Sequence, residues 1–280
     1  MTDDLSKSAA RTAEIYRKEK ELADRIRAAG SQERPHLYSA VYDELFRSFP
    51  DHPQLVFQAN AAAKAAAVAE RLKLLRPYLR PNSALLEIGP GDCSLAAQIA
   101  RYVRKVYAVE ASAEIGTGTA LPPNVELIIA GGCAVPVPQR SIDVAYSDQL
   151  FEHLHPEDAS EHLKHVYRAL APSGIYICFT PNRLSGPHDI SRGFDDVATG
   201  LHLREYTATE LAAAFRAAGF ERVQLLAGAR GFQMSFPLAL VSGLERLLGR
   251  LPKRVARPLA RSLPFRILLG IKLVGKKADH

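Results

Sequence analysis

The sequence predicts an α/β fold in which a parallel sheet is covered by helices on both faces. Between residues 83 and 227, short apolar runs alternate with segments in which apolar residues recur at helical spacing. Strands that are buried on both faces are near-continuous apolar runs, and helices connect them when they are parallel. The first run ends in the glycine-containing turn EIGPGD (87–92), which is typical of a strand that leads into a helix in such a sheet.

The first 80 residues are predicted to be helical and contain no strand candidate. Residues of high helix propensity fill 3–29, and Gly30 follows them. Pro35 is a good first-turn residue for a second helix, which must stop near Pro50. A third, alanine-rich helix is predicted over 53–79.

From residue 83 onward, the apolar runs are strand candidates. Helical patterns at 93–103, 156–170 and 208–218 lie between some of them. The candidates are ALLEIG (84–89), KVYAVEA (105–111), VELIIAG (125–131), SIDVAYS (141–147), GIYICFT (174–180), ERVQLLA (221–227) and, after a proline-punctuated region, RILLGIKLVGKK (266–277). We therefore divide the chain into an N-terminal helical extension (1–80), a core (81–230), a basic helical insertion (231–265) and a last strand with the C-terminal tail (266–280).

The positive charge is confined to the C-terminal region. The chain has a formal net charge of +6, but 11 Lys and Arg and only 2 acidic residues lie from Arg230 onward. No nucleic-acid partner is therefore predicted for the protein as a whole. In this region Val255, Leu259 and Leu263 share one face at helical spacing. Three interpretations stay open: peripheral contact with anionic lipid, attraction of an acidic substrate, or a lid-like insertion with solvated arginines.

Composition favours a reducing, cytoplasmic environment. The three cysteines, Cys93, Cys133 and Cys178, form no CxxC pair, which argues against a disulfide framework and a structural zinc site. The first residues are too charged for a signal peptide, and no apolar run approaches the roughly 18 residues of a membrane span. We expect a cytoplasmic protein whose membrane contact, if any, is peripheral.

The glycine turn and the next strand together indicate a nucleoside-binding site. Gly89 and Gly91 remove Cβ atoms where a ligand would approach the backbone. Glu110 ends the next strand, where a carboxylate can accept hydrogen bonds from both ribose hydroxyls. Glu87 precedes the first glycine and suits a cationic ligand better than a pyrophosphate. Ser94 stands where the dinucleotide fingerprint has its third glycine, so a sulfonium cofactor is favoured over a dinucleotide.

Five motifs in order carry a family resemblance. The chain resembles the class I S-adenosylmethionine-dependent methyltransferases, and the match extends from about residue 83 to 227. The resemblance implies a Rossmann-like, doubly wound sheet of seven strands with an antiparallel last strand. The motifs are LLEIGPGDCSLA (85–96), VYAVEAS (106–112), SIDVAYSDQLFEHLHPED (141–158), HLKHVYRALAPSGIYICFTPN (162–182) and HLREYTATELAAAFRAAGFERVQLL (202–226).

The resemblance also implies residue roles toward the cofactor, S-adenosylmethionine. The Gly89 and Gly91 backbone would line its methionine end near Glu87, and Glu110 would hold the ribose. In the loop after the third strand, Gly131 stands where the family often has an aspartate. The cofactor residues implied are Glu87, Gly89, Gly91, Glu110, Ala111 beside the adenine, Gly132 and Cys133 through their backbone groups, and Asp148 in the fourth-strand motif.

Histidines are the candidates for acid–base chemistry, because a hydroxyl or amine acceptor loses a proton on methylation. His153 and His202 lie in segments expected at the carboxyl ends of the strands, and we assign them as candidate catalytic residues. For each, a structural role is the alternative. Asp148, Glu152, His153 and His155 also cluster in sequence, but such a group is commonly a solvated turn, and we predict no metal.

These observations predict an S-adenosylmethionine-dependent methyltransferase that acts on oxygen, nitrogen or carbon of a small-molecule or lipid-like acceptor. The N-terminal helices and the insertion are expected to shape the acceptor pocket. Two alternatives stay open. One is a catalytically silent binding protein with the same fold, and the other is a nicotinamide-dependent oxidoreductase.

Overall fold

The N-terminal extension is helical, as predicted. The computed structural model describes residues 2–112, 120–228 and 233–279. The predicted helix over 53–79 is divided in two, because Asn60 has an extended backbone and accepts a hydrogen bond from the Ala63 N–H (3.0 Å) as the cap of the second part. The four helices are α1 (Thr2–Ala28), α2 (Arg34–Ser48), α3 (Pro53–Ala59) and α4 (Ala61–Leu75).

The core is a single mixed sheet. Its strands are β1 (Ala84–Ile88), β2 (Lys105–Glu110), β3 (Val125–Ile129), β4 (Ile142–Asp148), β5 (Leu170–Thr180), β6 (Arg222–Ala227), β7 (Met234–Phe236) and β8 (Ile271–Lys276). Their order is β3-β2-β1-β4-β5-β8-β6-β7. The strands β1 to β5 pair in parallel, and β8 runs antiparallel between β5 and β6. The predicted α/β class with an antiparallel last strand is confirmed.

The sheet differs from the prediction at its C-terminal end. It has eight strands rather than seven, because Met234–Phe236 pairs antiparallel with β6 at the edge. Three residues are too few for a periodic pattern, so this strand gave no sequence signal. The last strand begins at Ile271 rather than 266, because the preceding apolar residues form a helix with a proline in its first turn. The remaining helices are α5 (Ser94–Ile99), α6 (Pro156–Ala169), α7 (Ala208–Ala217), α8 (Leu238–Arg250), α9 (Lys253–Arg261) and α10 (Leu263–Leu269).

The central strand β1 is buried along its whole length and divides the core in two. Leu86 and Ile88 face a cluster that includes side chains of α1, α2, α6 and α7. Leu85 faces the opposite side, where α4 and α5 pack. Because strand order reverses between β1 and β4, the crevice at their carboxyl ends is the expected ligand site of such a sheet.

Helix α2 is attached beside that crevice by a buried ion pair. The Arg34 guanidinium donates to both carboxylate oxygens of Asp158 on α6 (Nε–Oδ2 2.7 Å, Nη2–Oδ1 2.8 Å). Tyr38, one turn further along α2, donates its hydroxyl to the same carboxylate (2.8 Å) and accepts from the His155 N–H (2.8 Å). The bidentate geometry fixes both the position and the rotation of α2.

The insertion is attached to the core by another buried carboxylate. Glu245 on α8 accepts hydrogen bonds from the Ala208 N–H (2.7 Å) and the Thr209 N–H (3.0 Å) at the start of α7. It also accepts from the Asn182 side-chain amide (2.9 Å). Acidic groups are favourable at a helix N-terminus, so this contact holds α8 against the core.

The Arg34–Asp158 pair generates a stability prediction. The substitution Arg34→Met removes the cation and leaves the Asp158 carboxylate buried, so we expect the free energy of unfolding to fall by about 3–5 kcal/mol. Urea denaturation measures this change. The matched control is Arg11→Met, whose ion pair with Asp51 is exposed, and a much smaller loss is expected there. Equal losses in the two variants would contradict the structural role given to Arg34.

Candidate active site

A cavity lies at the carboxyl ends of β1, β2 and β4, and α2 forms its outer wall. Six of the residues implied or assigned from sequence line it: Gly89, Gly91, Glu110, Ala111, Gly132 and His153. Of the others, Glu87 and Asp148 lie near the carboxyl ends of β1 and β4 but do not line the cavity. His202 lies behind His153, and Cys133 does not line the cavity.

The glycine turn needs glycine at both positions. Gly89 and Gly91 have φ angles of +70° and +58°, which residues other than glycine rarely adopt. The Gly89 N–H donates to the Val109 carbonyl (2.9 Å), which holds the turn against the end of β2. A Cβ at position 89 would lie 3.2 Å from Cδ1 of Leu150. The turn therefore presents bare backbone to the cavity.

Glu110 ties β2 to this turn. Its carboxylate accepts from the N–H of Gly91 (3.0 Å), from that of Ala111 (2.8 Å) and from that of Ser112 (3.3 Å). Burial raises the pKa of Glu110, while these backbone donors lower it in part. The carboxylate is thus fixed in orientation at the cavity wall, as a ribose acceptor would need to be.

Two buried carboxylate oxygens lack a partner beside the glycine turn. Oε2 of Glu87 and Oδ1 of Asp148 have no hydrogen-bond partner within the described residues. The other oxygen of Asp148 is held by Arg71 and accepts from the Tyr146 hydroxyl (3.1 Å). Burial, and then the charges of Asp148 and Asp92, raise the pKa of Glu87 to about 8. Unpaired buried acceptors are rare, so this corner fits a ligand that carries positive charge or hydrogen-bond donors.

The position of α2 explains why the loop after β3 has Gly131 where the family often has an aspartate. A Cβ at this position would lie 2.1 Å from the Pro35 carbonyl oxygen in the first turn of α2. The backbone of α2 therefore takes the space of a side chain. Gly132, with a φ of +66°, follows in the cavity wall. Cys133 offers its carbonyl to Nδ1 of His165 (2.9 Å) on α6 instead, so its predicted cofactor role finds no support in the cavity.

His153 and His202 come together, although 49 residues separate them. Their ring centroids are 4.8 Å apart in an edge-to-face arrangement. Nδ1 of His153 lies 2.9 Å from the Tyr42 hydroxyl and 3.0 Å from the Leu201 carbonyl oxygen. Burial, together with the charge of His202, lowers the pKa of His153 to about 3, so this ring is neutral near pH 7.

His202 is in a different electrostatic environment. Burial alone would lower its pKa, but the hydrogen bond from Nδ1 to Glu205 (2.9 Å) and the charge of Glu152 raise it overall. Arg27 of α1 donates to the His202 carbonyl oxygen (3.4 Å), so the extension contacts this loop as well. Both catalytic assignments stay predictions.

Sequence reasoning missed the side chains that the extension contributes. Tyr38, Ser39 and Tyr42 of α2 and Gln54 of α3 line the cavity. Ser39 donates to the carbonyl oxygen of Ala111, the residue assigned to the adenine. No local pattern marks these residues, because only the packing of α2 directs them inward. None of the described residues of the insertion lines the cavity, contrary to the expectation that it shapes this pocket.

The comparisons with known proteins agree with this geometry. Residues 57–225 match the model of a methyltransferase domain family. The chain belongs to the class I S-adenosylmethionine-dependent methyltransferase superfamily. The class and the cofactor predicted from the motifs are thereby confirmed for the family.

Curated relatives of this chain come from mycobacteria. One is the "Probable S-adenosylmethionine-dependent methyltransferase" of Mycolicibacterium smegmatis, 32% identical over 138 residues, which are 49% of this chain and 51% of that protein. A Mycobacterium tuberculosis protein with the same description is 32% identical over 142 residues, 50% of each chain. The chain thus spans about half the length of the curated relatives it matches.

Solved structures share the fold of this chain at low identity. An Archaeoglobus fulgidus SAM-dependent methyltransferase is 16% identical with a TM-score of 0.53, and the match covers 81% of this chain and all of the other (100%). Phosphoethanolamine N-methyltransferase 2 of Haemonchus contortus, solved with S-adenosyl-L-methionine, is 14% identical with a TM-score of 0.53. That match covers 83% of this chain and 60% of the other.

The raised pKa of Glu87 generates a pH prediction. The folded protein holds this proton up to about pH 8, whereas the unfolded chain releases it near pH 4.5. The associated stability is therefore complete below about pH 4.5 and is lost as the pH rises toward 8. Glu87→Gln stays neutral, so its advantage over wild type should grow from pH 5 to pH 8, by about 5 kcal/mol at most.

Urea denaturation of the ligand-free protein at several pH values measures the difference. The exposed residue Glu126 on β3 gives the matched control, Glu126→Gln, which should follow wild type. Parallel pH profiles for wild type and Glu87→Gln would show that the Glu87 carboxyl is not buried as described.

Proposed function

We propose that this chain catalyses methyl transfer from S-adenosylmethionine to a small-molecule or lipid-like acceptor by in-line displacement. The observation that carries the proposal is the pair of unpartnered buried oxygens on Glu87 and Asp148 beside the glycine turn. A sulfonium and an amino group would pair with these two oxygens and favour the ionised form of Glu87, whereas a dinucleotide pyrophosphate offers only acceptors and would leave both oxygens unpaired. Family membership supports the same cofactor.

The residues of the cavity divide the work of binding. Glu110 would accept the ribose hydroxyls, and the backbone of Gly89 and Gly91 would allow close approach. Glu87 and Asp148 would face the positively charged end. When bound, S-adenosylmethionine supplies a methyl group on sulfur, whose carbon–sulfur bond breaks with its electron pair left on sulfur as the acceptor forms the new bond.

The acceptor is proposed to lie on the side of the cavity formed by Tyr42, Gln54 and His153. These side chains come from α2, α3 and the segment after β4, so docking of α2 would align the acceptor and exclude water. His153 and His202 are the candidates to receive a proton that the acceptor loses. Oxygen, nitrogen and carbon acceptors are all compatible with this arrangement.

The exposed side chains of the insertion favour a lipid-like acceptor or contact with a lipid surface. Leu240 and Leu247, seven residues apart on α8, are 62% and 59% exposed, and Leu263 is 63% exposed. Val255 and Leu259 are also exposed on α9, but α9 ends at Arg261, so the stripe predicted through Leu263 continues on the next helix. The exposed basic residues beside them are Arg246, Arg250, Lys253, Arg254 and Arg266.

Apolar and basic groups exposed together suit an anionic bilayer surface, with leucines in the acyl boundary and arginines at the headgroups. None of the helices in the described part of the chain is both long and apolar enough to span a membrane. We therefore propose peripheral contact through α8 to α10.

Cofactor binding tests the function. Calorimetric titration with S-adenosylmethionine and S-adenosylhomocysteine should show binding, and NADH should show none. Glu110→Ala removes a charged acceptor and should weaken binding by about 1–3 kcal/mol, about 5- to 150-fold. Glu126→Ala on the neighbouring strand is the control. Binding without methyl transfer to any acceptor would favour a silent binding protein, and an absence of binding to the adenosyl compounds would overturn the proposal.

Vesicle co-sedimentation tests the proposed membrane contact of α8 to α10. Binding is expected to phosphatidylcholine vesicles that contain phosphatidylglycerol, and it should weaken with salt. Each arginine near such a surface contributes about 1 kcal/mol, so Arg246→Gln with Arg250→Gln should weaken binding about 30-fold. The control pair, Arg80→Gln with Arg101→Gln, lies outside the insertion and should not weaken binding. Equal effects of the two pairs would exclude α8 as the contact.

A further inference from the structure

We propose that Glu152, His153 and His202 form a binding site for a divalent transition-metal ion beside the cavity. Each of the three residues offers one ligand atom, and these atoms lie within 4.8 Å of one another. His153 lines the cavity, whereas Glu152 and His202 are buried behind it. The site is distinct from the cofactor-binding carboxylates at Glu87 and Glu110.

In each residue, the polar atom that would not bind the ion is held by a hydrogen-bond partner of the kind found around metal ligands. Nδ1 of His202 is paired with the Glu205 carboxylate (2.9 Å). Nδ1 of His153 lies 3.0 Å from the Leu201 carbonyl oxygen, which can only accept, so Nδ1 carries the proton. A histidine bound to metal typically donates its other ring N–H to a carboxylate or a carbonyl in this way. Nε2 of each ring is thereby left as the ligand atom.

Glu152 supplies an independent sign of a missing ligand. Its Oε2 accepts from the Thr180 hydroxyl (2.9 Å). Its Oε1 is fully buried and has no hydrogen-bond partner within the described residues. A buried acceptor is costly to leave unpaired, and a cation at this point would satisfy it.

The donor set selects the class of ion. Two imidazoles and one carboxylate suit Zn²⁺, Co²⁺, Mn²⁺ or Fe²⁺ with further positions open, whereas Mg²⁺ and Ca²⁺ prefer oxygen ligands. An open position next to His153 would face the cavity. The sequence predicted no metal for the cluster of Asp148, Glu152, His153 and His155, and the proposed site is a different set that includes His202. Asp148 is held by Arg71, and His155 accepts from the Glu157 N–H at the start of α6.

A metal ion at this site would also narrow the range of possible acceptor atoms. This inference rests on the proposed function. A hydroxyl bound to the ion would lose its proton to water more easily, because the cation lowers the pKa of a coordinated oxygen. The resulting oxygen would then be the nucleophile. The site therefore favours an oxygen acceptor over nitrogen or carbon.

The test measures metal binding in the absence of cofactor. Wild-type protein treated with EDTA and then dialysed is titrated with Zn²⁺ by calorimetry and with Co²⁺ by visible absorption. One equivalent should bind, with a spectrum of mixed nitrogen and oxygen ligation, and Mg²⁺ should not compete. Glu152→Gln and His202→Ala should weaken binding at least 100-fold, and Glu205→Gln about 10- to 100-fold. His36→Ala, which removes an exposed histidine of α2, should leave binding unchanged.

Each result has a defined meaning. An absence of Zn²⁺ and Co²⁺ binding by folded wild type overturns the site, as does binding that Glu152→Gln and His202→Ala leave undiminished. Circular dichroism and S-adenosylmethionine titration of the same samples separate the two proposals. Wild type that binds S-adenosylmethionine but neither Zn²⁺ nor Co²⁺ overturns the metal site alone, and wild type that binds the metal but not S-adenosylmethionine overturns the proposed function alone.

Discussion

The position of α2 depends on one buried ion pair, and one wall of the candidate site depends on α2. The bidentate contact between Arg34 and Asp158 sets the rotation of this helix, so Tyr42 meets His153 and Ser39 meets the backbone of Ala111. The extension is thus a wall of the cavity rather than an appendage. A charge pair taken out of water is held only by good geometry, and the Tyr38 hydroxyl completes that geometry here.

The cavity edge concentrates carboxyl groups that the folded chain does not fully neutralise. Glu87 and Glu152, at or after the ends of β1 and β4, both have raised pKa values because they are buried and lie near other acids. Such an arrangement lowers the stability of the ligand-free protein, and bound cationic groups would recover it. The unpaired oxygens in this region correspond to the two kinds of cation proposed: those of Glu87 and Asp148 to an organic cation, and that of Glu152 to a metal ion.

The sequence predicted what local patterns encode. The strand before the glycine turn, the turn itself and the position of Glu110 follow from apolar runs and from the conformations that glycine allows. The meeting of His153 with His202 could not be predicted, because the loop that carries His202 has no periodicity and is positioned by Arg27 and Glu205. Tyr42 was missed for a similar reason, since an inward-facing residue of an amphipathic helix does not indicate what it will contact.

The contact between Gly131 and α2 links two distant parts of the chain. A single methyl group at position 131 would meet the Pro35 carbonyl oxygen, which belongs to the backbone and has no rotamer by which to move aside. The family's common aspartate and this placement of α2 therefore exclude each other. In a comparison of related chains, the identity of this one residue would report whether the first helices can close over the cofactor loop in the same way.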